Sequence, residues 1–362
     1  MPINPFEQNL DRTPANHQPL TPLTLVARAA EVFPDRIAIV HGRTRHSYAA
    51  YFARCRRLAS ALAQRYVGKG DTVSVMLPNV PAMLEAHVGV PMTGAVLHAI
   101  NTRLDAAIVA FQLDHANTKV LIADREFAPV VREALALARV KPLVIDHDDA
   151  EFPQPHDRLS WTDYEEFLAG GDAAFRWRMP DDEWDAISLN YTSGTTGNPK
   201  GVVYHHRGAA LMCYANTIAT GMGQHPVYLW TLPMFHCNGW CFPWSLATVA
   251  GTHVCLRWLR AKAIYDAIAD YRVTHLCGAP IVMSTLLDAA PGEKRPIAHT
   301  VSFSHAAAPP PEAVLLRMQE AGFRLTHLYG LTETYGPAAL NEWKGERDTL
   351  ESADWAARRG RQ

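Results

Sequence analysis

Several features that mark special classes of protein are scarce in this chain of 362 residues. It has only six cysteines, and its first residues show no basic stretch followed by an apolar segment, so we expect neither a disulfide scaffold nor a secretory leader. No segment approaches the roughly 18 consecutive apolar residues of a membrane-spanning helix. A net charge of −2 provides no overall positive field to attract nucleic acid or an anionic membrane. Together these absences predict a globular protein of the cytoplasm.

The composition is that of an ordinary globular chain. Hydrophobic residues make up 48% and charged residues 19%, while 22 glycines and 25 prolines are too few for a collagen-like or low-complexity protein. No internal repeat is visible. The length suffices for one large domain or two of average size, each with a substantial core.

Strand-like and helix-like segments alternate along the first part of the chain. A hairpin is predicted within residues 36–48, followed by helices at 48–66, 81–90, 105–115 and 127–138 and by strands at 72–77, 95–99, 120–123 and 143–146. Such alternation implies mainly parallel sheets that are covered by helices on both faces.

A polar stretch marks the best internal boundary. Residues 146–185 are acidic and contain several prolines and glycines, which is typical of a connection between structural units. A second α/β unit then begins at Ala186. We therefore predict an α/β fold with two doubly wound subdomains, at about 21–180 and 181–362, after an N-terminal extension at 1–20.

The segment after the predicted strand 186–191 has the composition of a phosphate-binding loop. Residues 192–201 contain four hydroxyl side chains, three glycines and one lysine. Glycine allows backbone N–H groups to approach an anion closely, hydroxyl groups donate hydrogen bonds, and lysine adds a positive charge. The spacing differs from a Walker A motif because Lys200 is followed by glycine rather than Ser or Thr. A polyphosphate is the expected ligand, and the alternative is a plain surface turn. The candidate phosphate-binding residues are Thr192, Ser193, Gly194, Thr195, Thr196, Gly197 and Lys200.

Three motifs in this order resemble those of one enzyme family. Residues 191–202 (YTSGTTGNPKGV) resemble the signature loop of the adenylate-forming, or AMP-binding, superfamily, which includes acyl-CoA synthetases, peptide-synthetase adenylation domains and luciferases. Residues 233–240 (PMFHCNGW) and 329–334 (YGLTET) resemble two further motifs of that family, the first of them most like acyl-CoA synthetases. The resemblance implies the two α/β subdomains of the family's large domain.

The resemblance also implies roles for individual residues. The loop with Lys200 would hold the ATP phosphates, and Thr332 would contact the phosphate of the adenylate. Tyr329 would stack on adenine, and Glu333 would ligate Mg²⁺, for which a hard carboxylate oxygen is suited. Ala307 and Ala308 would form the turn beside adenine. Ala306 stands where relatives commonly have glycine, so a positive φ there would be strained.

Two residues of the middle motif have competing interpretations. His236 is either a gate beside the substrate carboxylate and part of the catalytic set with Lys200, Thr332 and Glu333, or a core histidine. Zinc is not favoured, because His236 and its neighbouring cysteines lack a complete set of four ligands. Trp240 either closes the far end of the acyl pocket or is ordinary core.

The implied activity is that of an ATP-dependent acid:CoA ligase acting on a short or medium-chain carboxylic acid, with ATP, Mg²⁺ and CoA. Two alternatives stay open: a peptide-synthetase-type adenylation module and a non-catalytic ATP-binding fragment. Nothing after Glu333 matches the family's later ribose-binding aspartate, hinge or C-terminal lysine. We therefore expect a truncated N-terminal portion without the small C-terminal domain, inactive or impaired by itself.

Overall fold

The computed structural model describes residues 4–154, 157–192, 199–307 and 309–341. In chain order, its strands are β1 (Ile37–His41), β2 (Thr44–Ser47), β3 (Thr72–Met76), β4 (Val96–Ala99), β5 (Thr118–Asp124), β6 (Leu143–His147), β7 (Ala186–Tyr191), β8 (Gly201–His205), β9 (Val227–Trp230), β10 (Thr252–Cys255), β11 (His275–Gly278), β12 (Val301–His305), β13 (Phe323–Leu331) and β14 (Gly336–Leu340).

Helices connect most of these strands. They are α1 (Leu23–Val32), α2 (Tyr48–Ala63), α3 (Pro81–Gly89), α4 (Ala106–His115), α5 (Ala128–Leu137), α6 (Tyr164–Ala169), α7 (His206–Ala219), α8 (Cys237–Trp240), α9 (Phe242–Thr248), α10 (Ala261–Tyr271), α11 (Pro280–Leu287) and α12 (Glu312–Glu320). Within the described ranges, none of them is long and apolar enough to cross a bilayer.

The strands form two mainly parallel sheets, which confirms the predicted α/β class. The first sheet has the order β6-β5-β3-β4-β7-β8 and is parallel apart from the pair β7–β8. The second has the order β14-β13-β12-β11-β9-β10-β1-β2 and is antiparallel only in its edge pairs, β13–β14 and β1–β2. Central strands such as β3, β10 and β11 are buried along their whole length, as expected for strands covered on both faces.

The local predictions for the first part of the chain are confirmed to within a few residues. The helix expected at 48–66 spans Tyr48–Ala63, and the Ser47 side chain caps it by accepting a hydrogen bond from the Ala50 N–H at 3.2 Å. The strand expected at 72–77 spans Thr72–Met76. These elements are encoded by nearby residues, which is why sequence patterns locate them.

The expected boundary near residue 180 does not separate the two sheets. The hairpin of β1 and β2 belongs to the second sheet, where Ile39 pairs with His253 of β10. Conversely, β7 and β8 complete the first sheet, where Leu97 of β4 pairs with Ser188. The polar connection at 146–185 therefore joins β6 to β7, which are two strands of the same sheet. Pairing between residues so far apart leaves no local pattern from which this exchange could be predicted.

A buried ionic cluster joins the two sheets. Arg257, which follows β10, is only 2% exposed at its side chain and donates to Asp124 at the end of β5 at 2.5 Å. It also donates to Asp149 at 2.7 Å and to Glu126 at 2.8 Å. Burial alone would raise the pKa of Asp124, but hydrogen bonds from His147 and Arg257 hold it below its ordinary value. The cluster thus keeps the Asp124 carboxylate charged in the interior.

Replacing Arg257 by alanine should destabilise the fold strongly. The substitution leaves Asp124 and Asp149 buried without their guanidinium partner, a change that typically costs about 3 to 5 kcal/mol. Urea denaturation at neutral pH measures the effect. Arg295→Ala is the control, because the pairs of Arg295 with Asp266 and Asp270 are at the surface, and its unfolding midpoint should stay close to the parent's. A similarly small change for Arg257→Ala would contradict the assignment.

Candidate active site

Two adjoining cavities lie at the carboxyl ends of strands from both sheets. Asn101 comes after β4, and Tyr191 and Thr192 lie at the end of β7 in the first sheet. Gly278 ends β11 and Ala306 follows β12 in the second sheet. The carboxyl ends of parallel strands are where α/β proteins bind ligands, because loops with free backbone groups converge there.

The two cavities differ in chemical character. The larger has a volume of about 730 Å³ and is lined by polar groups that include Asn190, Thr192, Lys200, Thr332 and Glu333. The smaller has a volume of about 430 Å³, and its wall is mostly apolar. Its apolar lining residues include Leu232, Pro233, Trp240, Ala279, Leu328 and Pro337.

One wall is common to both cavities. The residues that line both are Asn101, Phe235, His236, Cys237, Leu331 and Thr332. A group bound in the polar cavity and a group bound in the apolar cavity would therefore meet at this shared wall.

The base of the predicted phosphate loop lies at the polar cavity. The Thr192 N–H donates to the Lys200 carbonyl at 3.1 Å and closes the loop at its start. The Lys200 side chain is exposed, and the described residues provide it with no ion-pair partner. Its charge is thus available to an anion in the cavity. Six predicted site residues lie outside the described residues: Ser193, Gly194, Thr195, Thr196, Gly197 and Ala308.

The residues of the third motif surround the same cavity. A short turn, Thr332–Thr334, follows β13 and places both Thr332 and Glu333 at the polar cavity. The Tyr204 hydroxyl donates to the Thr332 carbonyl at 2.6 Å, which connects this turn to β8 beside the loop. Tyr329 lies in β13 with 62% of its surface exposed and lines neither cavity. Its exposed ring can accept a stacked base, and its adenine-binding role stays a prediction.

The donor set at the polar cavity suits Mg²⁺ held mainly by phosphate oxygens. Glu333 contributes an exposed carboxylate that forms no ion pair with the described residues. Within those residues, no group of three or more His, Cys, Asp or Glu side chains is placed to hold a metal. Mg²⁺ is commonly bound by one or two carboxylates together with substrate phosphates rather than by a full protein cage. Glu333 fits that arrangement.

The turn at residues 306 and 307, which follows β12, has a positive φ at one residue. The sequence suggests Ala306 for this conformation, but the structure has it at the next residue. Ala306 and Ala307 both line the apolar cavity. The positive φ, 75°, falls on Ala307 rather than on Ala306. The Ala307 carbonyl lies 3.4 Å from the His327 imidazole, on the neighbouring strand. The alanine at position 306 is therefore compatible with this turn.

His236 is part of the shared cavity wall. Its side chain is exposed and has no hydrogen-bond partner in the described part of the chain, which argues against a satisfied core histidine. The protein packed around the imidazole and the positive charge of Arg103 both lower its pKa. A neutral imidazole at the shared wall is suited to contact a carboxylate or an acyl group, and its gating role stays a prediction.

Two residues of this site have no signal in the sequence motifs. Arg103 lines the apolar cavity near His236 and has no ion-pair partner among the described side chains. Asn79, which follows β3, donates to the carbonyls of Trp230 and Leu232, both at 3.0 Å, and accepts from the Met234 N–H at 2.9 Å. Asn79 thus holds the segment that leads to His236. Both residues are more than 100 positions away from the motif residues near which they lie, so only the fold shows that they belong to the site.

The motif around Trp240 adopts an unusual backbone conformation. Five consecutive residues have positive φ: Cys237 (49°), Asn238 (51°), Gly239 (56°), Trp240 (55°) and Cys241 (64°). We call residues 237–241 the left-handed turn; it includes the short element α8, which is therefore not a regular right-handed helix. Each non-glycine residue in this region costs roughly 1 to 2 kcal/mol. The sequence offers only the Asn-Gly pair as a clue, because both residues tolerate positive φ.

Trp240 fits both interpretations proposed for it. It is 6% exposed, and it lines the apolar cavity. Its side chain packs directly against Gly336, where an added Cβ would lie 2.9 Å from the Trp240 Cβ. The ring is thus at once packed in the protein and part of the cavity wall.

The two mainly parallel sheets and the paired cavities at their carboxyl ends define an α/β domain with a cleft between its sheets. The chain belongs to the AMP-binding enzyme family, whose model matches residues 26–358.

Curated relatives and a solved structure agree with this classification. The peroxisomal acetate/butyrate–CoA ligase AAE7 of Arabidopsis thaliana is 49% identical over 357 residues, and the match covers 94% of this chain and 62% of that protein. The acetate–CoA ligase CCL3 of Humulus lupulus is 46% identical, with the same two coverages. The chain therefore spans about 62% of the length of these relatives. The N-terminal domain of FACL13 from Mycobacterium tuberculosis shares the fold, with a TM-score of 0.78, 24% identity and coverage of 94% of this chain and 81% of that one.

The expected cytoplasmic localisation is wrong by this comparison. The Arabidopsis relative described above is named peroxisomal, as are other relatives of the chain. Cysteine content and charge distinguish an oxidising from a reducing compartment, but organelle targeting depends on short signals that are read by receptors. Composition therefore carries no information on this choice.

Replacing Lys200 by alanine should weaken MgATP binding. The exposed ammonium group at the polar cavity would form a charge-assisted hydrogen bond with a phosphate, so we expect a loss of about 1.5 to 3 kcal/mol. Titration calorimetry on the chain measures this difference. Lys262→Ala is the matched control, because Lys262 is exposed on α10 and pairs with Asp266. Equal affinity in the Lys200 variant and the parent would remove Lys200 from the site.

Proposed function

We propose that this chain is the nucleotide- and acid-binding domain of an ATP-dependent acid:CoA ligase. The enzyme would join a carboxylic acid to AMP, release pyrophosphate, and pass the acyl group to the thiol of CoA. ATP, Mg²⁺, CoA and a small carboxylic acid are the ligands of this proposal. Two relatives support it: one is named an acetate/butyrate–CoA ligase and the other an acetate–CoA ligase.

The wall shared by the two cavities is the observation on which the proposal rests. Adenylation needs a polyphosphate and a carboxylate in contact, while the rest of the acid is removed from water. The polar cavity offers Lys200 and Thr332 to the phosphates, and the apolar cavity offers Trp240 and its neighbours to the acyl chain. His236 and Thr332 lie where the two ligands would meet.

The side chains at this junction suit an in-line displacement at the α-phosphate. A carboxylate oxygen attacks phosphorus, and the bond to pyrophosphate breaks. Lys200 and the Thr332 hydroxyl would neutralise and orient the phosphate oxygens, which is the main protein contribution to phosphoryl chemistry. Mg²⁺, held by Glu333 and phosphate oxygens, would supply further neutralisation. The CoA thiol would then attack the acyl carbon, with AMP as the leaving group.

The size of the apolar cavity favours a short or medium-chain acid. Its volume is about 430 Å³, part of which belongs to the wall shared with the nucleotide, and Trp240 restricts its extent beside Gly336. The relatives named for acetate and butyrate agree with a small acid. A peptide-synthetase-type module is not favoured, because these relatives are CoA ligases. A non-catalytic ATP-binding fragment is not favoured either, because the relatives are named as ligases.

Binding of acyl-adenylate mimics tests this function on the chain itself. Non-hydrolysable acyl-sulfamoyl adenosines with acetyl, butyryl and hexanoyl groups occupy both cavities, whereas AMP occupies only one. Because each buried methylene contributes about 0.8 kcal/mol, the butyryl compound should bind at least about tenfold more tightly than AMP in calorimetry. Affinity no greater than that of AMP for any acyl compound would contradict an acid-activating function.

Replacing Trp240 by glycine should shift the preference toward longer acids. The substitution opens the cavity beside Gly336, and glycine tolerates the positive φ at this position. The affinity of the hexanoyl mimic relative to the acetyl mimic should rise severalfold per carbon that finds apolar burial. If Trp240 is instead ordinary core, the variant loses about 3 to 5 kcal/mol of stability with no change in preference. Trp161→Gly is the control, because Trp161 is 92% exposed and should change neither property.

A further inference from the structure

The left-handed turn at residues 237–241 needs support from its surroundings. A run of positive φ values is unfavourable for L-amino acids, which visit this region as single residues rather than in succession. Strained backbone persists only where neighbouring groups hold it, and such strain is concentrated at functional sites. The turn forms part of the wall of the apolar cavity, because Cys237 and Trp240 both line that cavity.

Buried side chains hold the second half of the turn. Asn216 on α7 donates to the Trp240 carbonyl at 2.7 Å. Ser245 on α9 donates to the Cys241 carbonyl at 2.8 Å. These contacts fix the backbone on the C-terminal side of Trp240.

Asn238 holds the first half and connects the turn to the other sheet. Its side chain is fully buried, with no exposed surface. Its Oδ1 accepts hydrogen bonds from the Ser188 hydroxyl at 2.8 Å and from the Asn190 amide at 2.7 Å. Both donors lie on β7, the strand that runs into the phosphate loop at Thr192. The turn that carries Trp240 is thereby tied to the strand that carries the nucleotide loop.

The residue type at position 238 fits this task. Asparagine is among the few residues that adopt positive φ at moderate cost, and its carboxamide reaches across to β7. Next to it, an added Cβ at Gly239 would lie 2.7 Å from the Trp230 ring, so a side chain at position 239 would displace the turn or the ring. Asn238 and Gly239 thus fit the turn closely to β7 and to Trp230 of β9.

We propose that Asn238 is a positioning residue that sets the place of Trp240 in the apolar cavity and thereby the preference for acyl length. This inference rests on the proposed function of the cavity as an acyl site. Asn238 contacts neither cavity and acts only through the turn. A merely structural asparagine would affect stability and leave the length preference unchanged.

Three substitutions separate the hydrogen bonds from the backbone strain. Asn238→Gly removes the carboxamide but suits the left-handed backbone, whereas Asn238→Ala removes the carboxamide and adds strain. Ser188→Ala removes one donor to Asn238 from a fully buried position that lines neither cavity. Ser74→Ala is the matched control, because Ser74 is also a fully buried serine in a strand of the same sheet.

The first measurement is the ratio of affinities for the hexanoyl and acetyl adenylate mimics, with AMP as a reference ligand. In Asn238→Gly and Ser188→Ala the ratio should change by about fourfold or more, which is the effect of one methylene. AMP affinity in these variants, and both properties in Ser74→Ala, should stay near the parent's. A ratio within twofold of the parent's in both folded variants overturns the proposal.

The second measurement follows Trp240 directly and does not need a ligand. In protein labelled with 5-fluorotryptophan, the Trp240 resonance is assigned by its loss in Trp240→Phe. It should shift or broaden in Asn238→Gly and Ser188→Ala and stay in place in Ser74→Ala. A moved resonance with an unchanged affinity ratio overturns the specificity claim, and an unmoved resonance overturns the positioning claim.

These readouts distinguish failure of this inference from failure of the proposed function. If the parent binds no acyl mimic more tightly than AMP, the acid-activating function fails, and the claim on acyl preference fails with it. The fluorine signal then still decides whether Asn238 positions Trp240. If Asn238→Ala does not fold, Asn238→Gly and Ser188→Ala carry the test.

Discussion

The site exists only because two separate sheets present their carboxyl ends to the same space. Each sheet supplies part of the walls: Asn101 follows β4 and Thr192 follows β7, while Gly278 ends β11 and Ala306 follows β12. A shared apolar core, in which residues such as Val73 of β3 and Trp230 of β9 belong to one buried cluster, and polar contacts together hold the sheets in one relative position. The buried Arg257 cluster does so with ionic bonds to Asp124 at the end of β5, and further contacts do so beside the cavities.

Those further contacts involve residues in or next to the middle and third sequence motifs. Asn79 from the first sheet holds the segment before His236, Tyr204 holds the Thr332 carbonyl, and Asn238 reaches back to β7. Most of these partners are buried amide and hydroxyl groups, for which a lost hydrogen bond is costly. The result is a junction between the two cavities that hydrogen bonds from both sheets hold in place.

The two cavities differ in the charge and polarity of the side chains that line them. Lys200 and Glu333 remain exposed and, within the described residues, without ionic partners, so their charges are available to a ligand. Trp240 and Leu328 are buried and line the smaller cavity, whose wall is mostly apolar. His236 stands between them, and its lowered pKa keeps the imidazole neutral at the junction. The strained backbone at residues 237–241 carries Trp240, which forms part of the wall of the apolar cavity.

The sequence by itself determined the local elements, the α/β class and the family, and it predicted a phosphate loop. Each of these depends on residues close together in the chain, such as Ser47 capping α2 or the glycines and hydroxyls of residues 192–201. Tertiary structure decided the exchange of β1, β2, β7 and β8 between the sheets, because strand pairing joins residues that are distant in sequence. It also decided the contacts of Asn79 and Asn238 and the position of Arg103, because these residue types are common and their neighbours lie on other elements. Tertiary structure also decided the left-handed turn at 237–241, because hydrogen bonds from β7, α7 and α9 offset the free-energy cost of its positive φ values.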